Sequence, residues 1–332
     1  DVVGMETPMV ALGWRLPAKA DPQYGIMSVV QQILTNGKCG LFDENLNNAQ
    51  QVMQAMTFLD GMTDQSAFWA IGCPKEGQSL EEVRDLMLSQ VRLLAGGEWD
   101  ESLLKGILNN MKRRQLEDMQ SNEMRAHRFV DAFVSGQDWA DAVGEMQRLD
   151  TLTKKTVVDC ARRMLTEGYG CVYKRQGTDT TAQKIDKPKI SPIETNRDQV
   201  SAFVDSVLKM PVAEVEPVFV DFSREIQTGK LTGGNELITH RDINSRLFSL
   251  TFVIERGTKE DPALAIAEQY MPYLGTDSLS ATELQSRLYA LACDVSLSTG
   301  DGRTHLSISG LAENMEEALR LAEKWIGTAQ PD

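Results

Sequence analysis

Asp261-Pro262-Ala263-Leu264-Ala265-Ile266-Ala267-Glu268-Gln269-Tyr270-Met271-Pro272-Tyr273-Leu274-Gly275-Thr276 is the segment against which the rest of the chain can be aligned. Asp261 suits a helix N-cap. Pro262 suits the first helical position, where a missing N–H costs nothing. Ile266, Tyr270 and Leu274 follow at i, i+4 and i+8. That spacing predicts a buried helix with one apolar stripe, stopped at Gly275. Just upstream, Leu247 to Arg256 alternates, with Phe248, Leu250, Phe252 and Ile254 on one face, as a half-buried strand does. The local unit is therefore strand, turn, buried helix.

The same order occurs about 240 residues earlier, too far apart for a solenoid repeat. Val10 to Leu16 reads as a strand with Val10, Leu12 and Trp14 on one face. Asp21-Pro22 opens a helix through Leu34. Gln51 to Leu59 and Ala67 to Cys73 form an antiparallel pair bent at Asp60-Gly61. Ser79 and Glu82 make a capping box for a helix to Ala95. In the later copy Ser280 and Glu283 make the second capping box. Val295 and Leu297 lie on one strand, and Leu306 and Ile308 on the next. The last helix turns Met315, Ala318, Leu319, Ala322, Trp325 and Ile326 to a core.

Between the copies, Leu103 to Met111 begins a long helical region. It continues through Met119, Met124, Phe129, Val130 and Phe133 with a break near Ser121. Helices at Trp139 to Arg148 and Thr153 to Leu165 and a strand at Tyr169 to Lys174 close this part. Pro188, Pro192, Pro211 and Pro217 then mark a linker. It embeds an amphipathic docking helix, Asn196 to Lys209. A hairpin, Glu225 to Leu231 with Glu236 to Thr239, follows. The expected domains are 1–177, a linker at 178–222, and 223–332. The fold class is α+β, a two-layer antiparallel sheet with helices, in two related domains.

Composition narrows the function. The 332 residues carry 48 acidic and 34 basic side chains, a net charge of −14, which argues against nucleic acid and anionic membrane surfaces as partners. Neutral or basic peptides are compatible with it, and so is plain solubility. No apolar run approaches the ~18 residues of a membrane span. Five cysteines without Cys-x-x-Cys spacing and three histidines exclude a conventional zinc finger. His127 and Asp131 stand at i, i+4, either as two metal ligands without a third or as an ion pair on a solvated face. Lys112-Arg113-Arg114 is expected to pair with Glu117 and Asp118. Gly37-Lys38-Cys39-Gly40 lacks the spacing of a phosphate loop, and Cys39 acts as a nucleophile only with a histidine beside it.

With these elements in order, the chain resembles the pitrilysin/insulinase zinc metallopeptidases, the inverzincins. Their active half has a strand leading to a helix with His-x-x-Glu-His, then Met and Gly-Thr. Met271 and Gly275-Thr276 match, while Ile266, Gln269 and Tyr270 stand where the two histidines and the glutamate belong. Such residues supply neither zinc ligands nor a general base. Alternatively, Gln269 and Tyr270 are ordinary surface and core residues. The resemblance implies the mitochondrial-processing-peptidase-like metallohydrolase fold. It also implies a middle piece of a longer peptidase, joined to the remaining domains of the same chain. No catalytic residue and no metal are expected in this piece, zinc belonging to the parent. Peptides or unfolded polypeptides are the expected partners, with no nucleic acid and no membrane. The compartment stays open between periplasm and cytoplasm. The other reading is an inactive structural or chaperone-like subunit of the same fold, told apart by a His-x-x-Glu-His sequence upstream.

Overall fold

Strict alternation makes the first sheet. The computed structural model describes residues 1–181, 186–193, 195–197, 199–242 and 245–331. It opens with β1 (Val2–Gly4) and β2 (Met9–Pro17), in which Val10, Leu12, Trp14 and Leu16 are buried and the residues between them are not. α1 (Pro22–Leu34) begins where the Asp21 carboxylate accepts from the Gln23 N–H at 2.8 Å. A π-helical turn, Asp43–Asn48, leads to β3 (Gln54–Asp60) and β4 (Gln65–Cys73). α2 (Leu80–Gly96) starts with the Ser79–Glu82 capping box and stops at Gly97, whose φ of 79° is left-handed and suits a residue without Cβ. Next come α3 (Glu101–Asp118), α4 (Asn122–Ser135), α5 (Trp139–Leu149), α6 (Lys154–Met164) and β5 (Gly170–Gln176). The strand order is β1-β5-β2-β4-β3, antiparallel except for β1 with β5. Helices cover one face, where Trp14, Met27, Ile33, Phe68, Met87 and Ile107 are all 2% exposed or less. Each such side chain contributes roughly 1.5–3 kcal/mol by leaving water.

Residues 180–244 form a compact unit of their own. It holds α7 (Ala202–Leu208), α8 (Phe222–Glu225) and a hairpin of β6 (Ile226–Lys230) and β7 (Glu236–His240). The docking helix expected from Asn196 to Lys209 is only these seven residues of α7, and none is buried. Two turns are too short to hold themselves together. Asp198, part of that expectation, lies outside the described residues.

The chain then returns to the first unit, which comprises residues 1–179 and 245–332. Here are β8 (Leu247–Ile254), α9 (Ala263–Tyr270), β9 (Leu274–Gly275), α10 (Ala281–Ala290), β10 (Cys293–Thr299), β11 (Thr304–Leu311), α11 (Met315–Thr328) and β12 (Gln330–Pro331). The order β10-β11-β8 reproduces β3-β4-β2, residue for residue. Val10 faces Gly72 and Gly72 faces Ala55; Phe248 faces Gly310 and Gly310 faces Cys293. Each later residue is numbered 238 above its counterpart. A Cβ on Gly72 would lie 2.5 Å from Val83, and one on Gly310 2.5 Å from the Ala292 carbonyl. A glycine holds the same register position in both sheets, approached by side chains of α2 in the first and by the chain entering β10 in the second.

Two apolar stripes, on α9 and α4, are largely exposed, and the one on α11 is buried only in part. Ile266 is 71% exposed and Tyr270 51%, and no residue of α9 is buried. α1 is packed by α3, α5 and α6; α9 rests on β10 and on the turn after it. α9 also ends at Tyr270 instead of Gly275, because Pro272 has no N–H to continue it. On α4, Phe129, Val130 and Phe133 are exposed, and on α11 so are Met315 and Ile326, leaving Ala318, Ala322 and Trp325 as the buried side.

Candidate functional site

The two Asp-Pro helices occupy equivalent places. In α9 the Asp261 carboxylate accepts from the Ala263 N–H at 3.1 Å. Gln269 is exposed beside Ile266 and Tyr270. Aligning Asp21-Pro22 with Asp261-Pro262 puts Ile26, Val29 and Val30 at the same three positions of α1, with both valines fully buried. Neither set fits zinc, which takes thiolate, imidazole or carboxylate. Among the described residues no three His, Cys, Asp or Glu side chains are grouped to hold a metal ion. Gly275-Thr276 shapes the turn into α10. There the Thr276 hydroxyl accepts from the N–H groups of Ser278 and Leu279 at 3.2 and 3.0 Å. His127 and Asp131 do not meet. His127 lies 3.7 Å from Glu123, and Asp131 pairs with Lys19 at 2.5 Å.

The loop after α1 is closed on itself. The Asp43 carboxylate accepts from the N–H groups of Asn36, Gly37 and Gly40 at 2.8–3.1 Å. The Asn36 side chain takes those of Lys38 and Cys39. With its donors consumed, the loop offers nothing to a phosphate. Burial, then the charge of Glu44, pushes the Cys39 thiol up to about 12, so the thiolate that a nucleophile requires is not formed near neutral pH.

Lys38 leaves this loop for the second sheet. It and Arg113 grip Asp294 from two sides, Nζ at 2.7 Å and Nη1 at 2.5 Å. Burial works to raise the Asp294 carboxyl, but hydrogen bonds and charge from Lys38 and Arg113 outweigh it and hold it below the usual range. Of the basic run, Arg113 does reach Glu117, at 3.5 Å, yet its shorter bond is to Asp294, and Lys112 pairs with Glu313. The expected partner Asp118 is in none of these pairs.

Each sheet has a second face where helices do not bury the side chains. On the first sheet it carries Met56, Phe58, Trp69 and Val172; on the second, Ser249, Thr251, Ser296, Ser298 and Ser307.

Comparison with known proteins fits these observations. Residues 1–111 match the family model described as the peptidase M16 inactive domain. This part of the chain is similar to M16-type inactive peptidase domains. Pitrilysin superposes with a TM-score of 0.53 at 12% identity, over 98% of this chain and 37% of that one. A protease from Helicobacter pylori gives 0.49 at 20% identity, over 52% and 43%. The periplasmic protease PqqL from Escherichia coli gives 0.42 at 12%, over 100% and 40%. None of the curated proteins compared matches. The chain spans about two fifths of the length of these structures. At such identity the superposition on pitrilysin establishes the fold, an α+β pitrilysin-type architecture.

The open face of the first sheet was not legible in the sequence as a whole. The one signal was in β4, where Ala67, Trp69 and Ile71 alternate with the buried Phe68 and Ala70. An apolar run on both parities marks a strand with two occupied faces.

Proposed function

We propose that this chain is a non-catalytic part of a zinc-dependent endopeptidase, and that it holds polypeptide substrate without cutting it. In this reading residues 1–177 form a wall of the substrate chamber, 178–222 the linker, and 223–332 the first domain of the opposing half. What carries it is the pair of Asp-Pro helices, which present Ile26, Val29, Val30 and Ile266, Gln269, Tyr270 where ligands would stand. Both lie on sheets with one face left open. Open faces and strand edges are the surfaces by which sheets take extended peptides. The chemical step falls to a catalytic domain, since Ile266, Gln269 and Tyr270 are neither zinc ligands nor a base.

The test is fluorescence anisotropy with a labelled, reduced and carboxymethylated polypeptide, run with and without added zinc. Saturable binding with no cleavage is the expected result. Absence of binding, or cleavage by this chain on adding zinc, overturns the proposal.

A further inference from the structure

Four residues form one row across the open face of the first sheet. Phe58 pairs with Trp69, Trp69 with Gly13, and Gly13 with Gly170. The two rings are stacked, with centroids 6.4 Å apart and planes at 22°. The indole is folded down over Gly13, where any Cβ would approach its Cζ3 to 2.8 Å. The row thus consists of two aromatic rings, a glycine on which the second ring leans, and a bare stretch of backbone at Gly170. Over the bare part lies a trough of about 400 Å³, walled by Trp69, Ala67 and Val172 and edged by Arg15. That is within the range of small-ligand sites. Phe58 is 41% and Val172 44% exposed, so apolar surface stands in water on both sides of the indole.

Arg15 supplies the polar half. It is exposed, and its side chain forms no hydrogen bond or ion pair among the described residues. Lys174, on the same face, is held by Glu6. An unpaired guanidinium at the rim of an apolar trough is locally complementary to a carboxylate next to an apolar group, against the repulsion of the chain's net charge of −14. We propose that this trough is a peptide subsite. It takes an apolar side chain, best an aromatic one, against Trp69 and over Gly13 and Gly170, with a neighbouring carboxylate on Arg15. Buried Trp and Arg anchors dominate binding energy at such surfaces. The proposal rests on the reading that the chain holds polypeptide, and it names the side-chain class that is held.

Three fluorescein-labelled ten-residue peptides, identical but for a central Phe-Asp, Phe-Asn or Ala-Asp, test it against two variants of the whole chain. Gly170→Leu fills the trough. A Cβ there meets nothing nearer than the Gly13 carbonyl at 3.9 Å, so the fold should accept it. Arg15→Gln removes the cation from an exposed position. The native chain should prefer Phe-Asp to either other peptide by about tenfold, the scale of one charge-assisted hydrogen bond or one apolar anchor. Gly170→Leu should abolish the preference for Phe. Arg15→Gln should make Phe-Asp and Phe-Asn equal while Phe remains better than Ala. Thermal unfolding monitored by circular dichroism checks that both variants fold. If the unfolded polypeptide binds but neither variant changes peptide preference, the subsite is refuted and the broader reading stands. If neither peptides nor polypeptide bind, both fall. A concentration-dependent dimer dissolved by Gly170→Leu assigns the trough to a second copy of the chain and overturns the peptide proposal.

Discussion

Asp294 is the residue on which two distant parts of the sequence converge, Lys38 from the loop after α1 and Arg113 from α3. Its folded-state value lies below that of an Asp in the unfolded chain, about 3.9. A depressed carboxylate contributes stability that is complete above the unfolded value and fades as the pH falls through the folded one. Asp294→Asn should therefore destabilise the chain at pH 7. The loss should be modest, about 1 kcal/mol, because the side chain is 43% exposed and solvent screens the pairs. The difference from the native chain should begin to narrow as the pH falls below about 3.9, where the unfolded chain takes up the proton, and close as it passes through the lower folded-state value. Urea unfolding of both proteins at neutral and acid pH measures it; a gap that widens in acid contradicts the ion-pair account.

Among elements, α9 and α1 share a place in the fold and differ in burial, which sets the outcome of rebuilding a metal motif. Ile266→His, Gln269→Glu and Tyr270→His together change exposed positions only, so stability should move by no more than about 0.5 kcal/mol. The matching change in α1 would put polar groups at fully buried Val29 and Val30 and should prevent folding. The α9 variant should still not cleave peptides. It gains two imidazoles and a carboxylate but no third zinc ligand and no partners to orient the rings. Zinc-dependent cleavage of an unfolded peptide by this variant would show that the missing ligand is already in place. The same contrast separates what the sequence disclosed from what it did not. The capping boxes at Ser79 and Ser280 were legible because donor and acceptor lie three residues apart. The strands were legible because alternation is local. Periodicity in α9, α4 and α11 revealed an apolar side but not whether anything covers it. The grip on Asp294, the row through Gly13 and the trough edged by Arg15 join residues far apart in sequence, and no spacing announces them.

At the scale of the molecule, the two related sheets are joined along one side of α3, with Lys38 of the loop after α1 adding its pair to Asp294. Gly106 brings α3 against α10 so closely that a Cβ would lie 3.2 Å from the Ala290 Cα and 3.3 Å from the Tyr289 ring. One turn on, the side-chain amides of Asn109 and Asn110 donate to the carbonyls of Ala290 and Tyr289 at 3.1 and 2.7 Å. Lys112 and Arg113 then pair with Glu313 and Asp294. Tyr289, only 6% exposed, belongs to the core of the first sheet although α10 carries it, and burial raises its phenol well above the ordinary value. The seam is thus a glycine contact with polar bonds beyond it, and its weak point is the glycine. Gly106→Leu should cost about 1–3 kcal/mol through overpacking against the backbone of α10. That cost should fall on the seam, because the first sheet has its own large core while the second has two small buried clusters. Urea unfolding should then show two transitions, the earlier accompanied by loss of amide protection in α10 and β10. A single transition with protection lost evenly across both sheets would mean that the contacts beyond the glycine couple them strongly enough to unfold together.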